Sequence, residues 1–370
     1  MFENISKKLG FGLMRLPMKE NEVDILETSK MVDLFIEAGF NYFDTAHGYI
    51  DGKSEKAVKE CLTSRYERDK YILANKLSIW LVESYEDIIS LFNEQLRICG
   101  VDYFDFYLLH SLNVPNYKKC KELNAFEYVK KLKEEGKIKH IAISFHDTAD
   151  VLDTILSEQP IIEAVQLQIN YLDYDDPSVQ SKACYDVAVK HGKKVIVMEP
   201  VKGGALVNLP SEAKKLFDDL KGGSYASYAL RYAAGYENVI MVLSGMGNTA
   251  MMMDNISSMS DFVPLNEKEL SATDKAREII RKLKQIPCTA CNYCADVCPV
   301  GIPISKIFSS FNKCLTAEMT AEEAAKLLPA DSSKVHSCAD CGLCETVCPQ
   351  TIEIRKTLQN AAENLGIKND

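Results

Sequence analysis

The stretch YILANKLSIWLVESYEDIISLFNEQLRICGVDYFDFYLLH, residues 71–110, decides the fold class of this chain. It holds two short apolar runs, YILANK and FDFYLLH, on either side of YEDIISLFNEQLRICG, a pattern typical of an amphipathic helix. A strand, a helix and a second strand in this order form the unit of a parallel sheet that is covered on both faces. The fold therefore depends on how often this unit recurs.

Similar apolar runs occur on both sides of this stretch and bring the total to eight. They are LGFGLMRL (9–16), FNYFD (40–44), HIAIS (140–144), AVQLQI (164–169), KVIVME (194–199) and VIMVLSG (239–245). Eight strand–helix units in about 250 residues have the length and the alternating order of strands and helices that are typical of a TIM barrel. A doubly wound open sheet usually has about six strands and a G-x-G-x-x-G fingerprint. This sequence has no G-x-G-x-x-G motif. The sequence therefore predicts an α/β protein built on a (β/α)8 barrel.

The composition of the 370 residues argues against several classes of partner. The net charge of −10 disfavours nucleic acid, because phosphate binding needs a basic surface. There is no run of eighteen apolar residues to span a membrane, and the first residues, MFENISKKLG, lack the apolar core of a signal peptide. We therefore expect a cytoplasmic protein that binds neither nucleic acid nor membrane.

The composition changes sharply after the charged helical pattern LNEKELSATDKAREIIRKLKQ (265–285), where a cysteine-rich region begins. Eight of the thirteen cysteines lie in two short runs beyond this point. We therefore predict two domains, a barrel over residues 1–282 and a smaller domain over residues 283–370.

The two runs are CTACNYCADVCP (288–299) and CADCGLCETVCP (338–349), each with the spacing C-x2-C-x2-C-x3-C-P. This is the bacterial ferredoxin pattern, in which the fourth cysteine of each run ligates the cluster of the other run. Two [4Fe–4S] clusters are predicted, one on Cys288, Cys291, Cys294 and Cys348, the other on Cys338, Cys341, Cys344 and Cys298. Zinc is the alternative, because C-x2-C pairs also bind zinc, although four cysteines in one tight run are unusual for it.

The connection between the runs, residues 299–337, contains the helical patterns ISKIFSSFNKCL and TAEEAAKLL. A third pattern, IEIRKTLQNAAENLG, follows the second run. In length and helicity this region resembles the α-helical ferredoxin type of respiratory iron–sulfur subunits. It predicts a small, mainly α-helical ferredoxin-like domain.

Four polar residues of the barrel lie at or just beyond the ends of the predicted strands. Asp44, Lys76 and His110 end the second, third and fourth strands, and Tyr49 follows in the loop after Asp44. Chemistry in a TIM barrel lies at the C-terminal ends of the strands. Each residue alone has a structural interpretation, such as a helix cap or a hydrogen-bonded histidine, but four on one rim indicate a catalytic site.

This set of side chains is suited to reducing a carbonyl. Hydride transfer leaves an alkoxide that needs a proton, and a tyrosine with its ordinary pKa of ~10 is a weak donor near neutrality. A neighbouring ammonium favours the phenolate and so makes the phenol a stronger acid. We therefore expect Tyr49 to donate the proton and Lys76 to supply the charge. Asp44 would hold Lys76 in place, and His110 would orient the carbonyl oxygen.

In residues and in order, the barrel resembles the aldo-keto reductase family. The similarity rests on FDTAHGY, GKSEKAV, ILANK, DYFDFYLLH, AISFH, VQLQINY, EPVKGG and SGMGNTAMMMDN, spread over residues 9–260. It implies an oxidoreductase that reduces a small carbonyl, or oxidises an alcohol, with NAD(P). The family's catalytic tetrad falls on Asp44, Tyr49, Lys76 and His110.

The resemblance also implies residues that bind the cofactor. Ser144 and Gln166 match the family's contacts to the nicotinamide carboxamide, and Asn255 matches its adenine-contacting asparagine. Gly245 begins the segment that contacts the rest of the cofactor.

The sequence departs from the family pattern around this cofactor. Phe145 stands where an asparagine is expected, and Met198 replaces the aromatic residue that stacks on the nicotinamide. The segment 245–255 has no Lys or Arg to bind the 2′-phosphate of NADP. Lys202, on the loop after the seventh strand, is expected near the pyrophosphate.

The two parts of the chain imply different electron chemistry, because clusters pass single electrons and a hydride carries two. In the favoured interpretation the barrel is an NAD(P)H-dependent carbonyl reductase, and the clusters serve electron transfer or coupling to a redox partner protein. In the second, a flavin at the barrel mouth joins the two chemistries in a ferredoxin-coupled oxidoreductase. In the third, the chain is an electron-transfer adaptor with a degenerate barrel, which the intact tetrad argues against.

Overall fold

The computed structural model describes residues 2, 4–316 and 318–369. Within this part of the chain, eight parallel strands close into a barrel in which each pairs with its sequence neighbours and the last pairs with the first. In order, β1–β8 span Leu9–Gly12, Tyr42–Asp44, Ile72–Leu77, Phe104–Leu112, Ile138–Phe145, Ala164–Gln168, Lys194–Met198 and Val239–Ser244. The predicted TIM barrel is confirmed.

Helices connect the strands and continue beyond the last one. In order, α1–α11 span Ile25–Glu37, Lys53–Val58, Tyr85–Cys99, Val114–Glu122, Ala125–Glu134, Ala149–Glu158, Ser181–Lys190, Ser211–Asp218, Tyr225–Ala234, Thr249–Met259 and Glu267–Lys282. A two-stranded hairpin, Met18–Lys19 with Glu22–Val23, precedes α1.

Helix α3 illustrates how the local sequence determines where a helix begins and ends and which face it buries. The Ser84 side chain accepts from the Asp87 backbone N–H, and the Asp87 carboxylate accepts from the Ser84 backbone N–H, so the helix begins at a capping box. It ends at Gly100, whose φ of 68° lies in the left-handed region that glycine adopts readily. Ile88 and Phe92, four residues apart, lie on its buried face.

The sequence KKCKELNAFEYVKKLKEEG, residues 118–136, has the pattern of one helix, but the structure divides it between α4 and α5. Asn124 separates them with a φ of 55°, a left-handed conformation that asparagine tolerates better than most residues and that a continuous helix does not allow. The hydrophobic period continues across the break, so the period alone does not reveal it.

Side chains fill the interior of the barrel. One buried cluster within it consists of Tyr42, Ile72, Ala74, Phe106, Leu108, Ala142, Ala164, Ile196, Met241 and Leu243. Because these residues pack against one another across the strands, the centre is a core and the rim is the place for chemistry.

The chain divides into two compact units. The first comprises the residues up to Pro200 together with Ala226–Asn266, and it contains all eight strands of the barrel. The second comprises Val201–Tyr225, which follows β7, together with the chain from Glu267 onward. The predicted domain boundary between residues 282 and 283 falls at the end of α11 and stays a prediction.

The second unit is mainly helical, as predicted. Besides α8 and α11, which pack together, it contains α12–α16, which span Tyr293–Asp296, Ile304–Leu315, Ala321–Ala325, Leu343–Thr346 and Ile354–Leu365. Ile307 and Phe308 of α13 and Leu358 of α16 belong to its buried core. Among the residues that the structure describes, no helix has the length and apolar composition needed to cross a membrane.

Candidate active site and cysteine-lined cavities

The structure brings the four predicted catalytic residues together. Asp44 ends β2 and Lys76 lies near the end of β3, and the Lys76 ammonium donates to Asp44 Oδ1 at 2.6 Å and to the Thr45 carbonyl at 2.8 Å. The same ammonium lies 4.7 Å from the centroid of the Tyr49 ring. That ring is 6.0 Å from the ring of His110, centroid to centroid. All four side chains are buried or nearly so.

Burial sets the electrostatics of the Asp44–Lys76 pair. It raises the pKa of Asp44 against the effect of the Lys76 charge, and it lowers the pKa of Lys76 against the effect of the Asp44 charge. Both shifts reflect the cost of removing charges from water, which the short hydrogen bonds between the two side chains offset. A cation held in this way is fixed beside the Tyr49 ring.

His110 is held as a neutral ring. Burial is the largest cause of a pKa well below its usual value of 6.5, and the charges of Lys76 and His146 lower that pKa further. Ser78, just beyond the end of β3, places its Oγ 3.0 Å from His110 Nδ1 and so orients the ring. The sequence analysis did not identify Ser78 as a site residue. It could have done so, because Ser78 lies just beyond the end of a strand and Lys76 was identified by its position at the end of the same strand.

His110 lies within a local irregularity of β4. The pairing of β4 with β5 shifts register between Leu109 and Leu112, and Ser111 has a positive φ of 54°. Irregularities of this kind turn side chains at the rims of barrels and next to active sites. The strand therefore continues two residues beyond His110 without moving the imidazole away from the tetrad.

Two of the predicted cofactor residues lie side by side next to the tetrad. Ser144 on β5 is the register partner of Gln166 on β6, and both are buried. The Gln166 amide makes a hydrogen bond that lowers the pKa of Asp44. Ser144 Oγ lies 3.4 Å from His146 Nε2, and burial lowers the pKa of His146 to about 4. His146 belongs to the motif AISFH but was not predicted as a site residue.

The other two predicted cofactor residues form a second group. Asn255 on α10 donates to Ser244 Oγ at 2.8 Å, immediately before Gly245. A Cβ on Gly245 would lie 3.2 Å from the Arg15 side chain, whose guanidinium is 3.6 Å from Glu199. Arg15 follows β1, more than two hundred residues away in the sequence, so no local pattern indicates that it lies beside Gly245.

The eight predicted ligand cysteines surround two cavities in the second unit. Cys288, Cys291, Cys294 and Cys348 line one cavity, and Cys298, Cys338, Cys341 and Cys344 line the other. The fourth cysteine of each run thus faces the cavity of the other run. The structure groups the eight thiols in the same two sets of four that the ferredoxin spacing predicts.

The number of thiols around each cavity suits a cluster. A [4Fe–4S] cluster has four cysteine ligands, each on a different iron, so its ligands stand around a cavity several ångströms across. In the second cavity the backbone N–H of Ile302 also donates to Cys298 Sγ at 3.5 Å, a type of contact that tunes cluster potential.

Lys202, which is expected near a cofactor pyrophosphate, belongs to the second unit. Its ammonium donates to Gln350 Oε1 at 3.2 Å, next to the cavity that Cys288 lines. The expected approach to the pyrophosphate stays a prediction. The loop after β7 is thus part of the cysteine-containing unit.

Comparison with known families matches both parts of the chain. Residues 8–278 match the aldo/keto reductase family, and residues 287–353 match a 4Fe-4S dicluster domain. An aldo-keto reductase of Mycolicibacterium smegmatis is 25% identical over 209 residues, which cover 56% of this chain and 68% of that protein.

Solved structures share the barrel. An aldo-keto reductase from Bacillus halodurans in its holo form is 26% identical with a TM-score of 0.59, covering 73% of this chain and 92% of that one. An aldo-keto reductase from Klebsiella pneumoniae, solved in complex with NADPH, is 19% identical with a TM-score of 0.58 and covers 73% of this chain and 95% of that one. At that identity the second likeness concerns the fold alone.

Proposed function

The chain belongs to the aldo/keto reductase family and carries a 4Fe-4S dicluster domain after its barrel, and we propose that this oxidoreductase reduces a small carbonyl compound, or oxidises the alcohol, with NAD(P). The observation that carries the proposal is the buried Lys76 ammonium, held at 2.6 Å by Asp44 and 4.7 Å from the Tyr49 ring. An arrangement that fixes a cation beside a phenol supports proton donation by that phenol.

The reaction assigns one task to each side chain. Reduced nicotinamide supplies the hydride when it is bound. Tyr49 donates its hydroxyl proton to the carbonyl oxygen as charge develops there, and water then restores the proton. Lys76 stabilises the phenolate that Tyr49 leaves, and Asp44 keeps Lys76 charged and in place.

His110 positions the substrate in this proposal. Because its pKa is well below neutrality, the ring is an uncharged donor and does not compete with Tyr49 as an acid. Ser78 holds Nδ1, and we assign to Nε2 the hydrogen bond to the carbonyl oxygen. Trp80, whose ring lies 4.8 Å from that of His110 and is partly exposed, forms a wall for the substrate.

The residues around the tetrad fit a nicotinamide. Ser144 and Gln166 offer a buried hydroxyl and a buried amide on adjacent strands, which suits a carboxamide group. Gly245 lies against the aliphatic part of the Arg15 side chain, and Asn255 donates to Ser244 beside it, which places a backbone without a side chain and an amide where the rest of the cofactor would bind. These contacts are proposals that rest on buried polar groups at one rim.

For the second unit, we propose two [4Fe–4S] clusters held by the crossed cysteine sets. Each cluster passes single electrons, and a one-electron carrier protein is the partner that suits them. The domain boundary at residues 282 and 283 is part of the same proposal.

Both the proposed clusters and the proposed carbonyl reduction can be tested with protein that is purified without oxygen. We expect about eight irons and eight acid-labile sulfides per chain, no flavin, and oxidation of reduced nicotinamide that depends on an added aldehyde or ketone. Stoichiometric zinc with little iron would contradict the clusters. Stoichiometric flavin, or no carbonyl-dependent oxidation with a broad aldehyde panel, would contradict the reductase.

A further inference from the structure

The segment Lys202–Gly204, in the motif EPVKGG, has an unusual backbone. Its three residues have φ values of 47°, 61° and 98°, all in the left-handed region. Glycine adopts this region easily, but a lysine does so at a cost that surrounding contacts must offset. Lys202 is also buried, with 5% of its surface exposed. A strained, buried lysine in a loop indicates a specific role.

Gly203 shows what the segment packs against. A Cβ at this position would lie 2.6 Å from the carbonyl oxygen of Thr289 and 2.8 Å from its Cα. These are backbone atoms, which cannot move aside as the end of a side chain does. Thr289 follows Cys288 and lines the same cavity as that cysteine. The segment therefore lies directly against the backbone between the first two cysteines of the first run.

Lys202 approaches the same cavity from a second direction. Its ammonium donates to Gln350 Oε1 at 3.2 Å, and Gln350 lines the cavity with Cys288 and Cys348. Gln350 is itself buried, with 6% exposed. The positive charge thus lies one side chain away from the cavity in a region removed from bulk water.

We propose that Lys202 sets the reduction potential of the cluster in this cavity, and the inference rests on the cluster binding proposed above. Reduction adds one electron to the cluster, supplied by the one-electron partner, and no bond forms or breaks. A nearby cation stabilises the added negative charge, and its effect is larger where the dielectric constant is low. Lys202 therefore raises the potential of this cluster, and it does so from the loop that directly follows β7.

The test uses anaerobic, full-length, cluster-loaded protein and a reductive titration followed by electron paramagnetic resonance. The variants are Lys202→Gln, which removes the charge and keeps a donor for Gln350, and Lys202→Arg, which keeps the charge. The control is Lys356→Gln in the same unit, because the Lys356 side chain is 79% exposed and pairs with Glu353 at the surface.

We expect Lys202→Gln to make reduction of one cluster at least about tenfold less favourable, which is 59 mV for one electron. The other cluster, Lys202→Arg and Lys356→Gln should stay close to the wild type. Unchanged potentials in Lys202→Gln would overturn the inference. Loss of about four irons in that variant would also overturn it, because Lys202 would then be needed for assembly. A wild-type protein without iron would instead contradict the proposed function.

Discussion

Replacing Tyr49 by phenylalanine separates proton donation from every other role of this residue. The ring keeps its place 4.7 Å from the Lys76 ammonium and 6.0 Å from the His110 ring, because both contacts involve the ring and not the hydroxyl. Only the hydroxyl is lost. Removal of one hydrogen-bonding group costs about 1 kcal/mol of folding free energy, so the barrel should remain folded.

The catalytic loss should be much larger than this structural cost. General acid catalysis contributes about 10²–10⁴ in rate, which at 1.36 kcal/mol per tenfold is about 2.7–5.4 kcal/mol of the activation free energy. We therefore expect kcat for an established carbonyl substrate to fall by about a thousandfold. The dissociation constant of the nicotinamide cofactor should change less than about threefold, because no assigned cofactor contact involves Tyr49.

The assay compares cofactor oxidation at saturating substrate with cofactor binding followed by fluorescence. Tyr66→Phe is the matched control, because the Tyr66 hydroxyl donates to Asp33 on α1 and takes no part in the tetrad. If Tyr49→Phe kept more than a tenth of the rate of the control, Tyr49 would not be the proton donor. If it lost cofactor binding as well, the hydroxyl would have a different role.

Three further predictions concern the cofactor, the clusters and the loop after β7. Cys298→Ser should damage the cluster of the second cavity and leave the first intact in the resonance spectrum; the reverse pattern would refute crossed ligation. Binding should favour NADPH over NADH by less than about a hundredfold, about 2.7 kcal/mol, because the Arg15 guanidinium is already near Glu199; a larger ratio in titrations would contradict this and require another cation at the 2′-phosphate. Gly203→Ala should lower the apparent melting temperature and iron content more than Gly192→Ala, since both have positive φ but only the first would meet backbone atoms.

The order of secondary structure could be read from local sequence patterns. The strand and helix periods predicted all eight barrel strands, because a buried strand or an amphipathic helix imposes its period on neighbouring residues. The same patterns predicted α13 and α16. They did not predict the break between α4 and α5, because a single left-handed residue, Asn124, leaves the hydrophobic period unchanged.

Part of the candidate site was also accessible from sequence. The rule that barrel chemistry lies at strand ends selected Asp44, Lys76 and His110, and the structure brings these residues together. The cysteine ligands were predicted in a similar way, from the spacing within each short run. The strand-end residues and the cysteines could both be identified because their relative positions follow from spacing within one strand or one tight loop.

The tertiary structure decided which distant residues join these local groups. It placed Arg15 beside Gly245, and it placed Lys202 beside Gln350 in the cysteine-containing unit. Contacts of this kind join segments more than a hundred residues apart. They depend on how whole elements pack, and packing follows from the summed shape and burial of many side chains, which no local spacing in the sequence records.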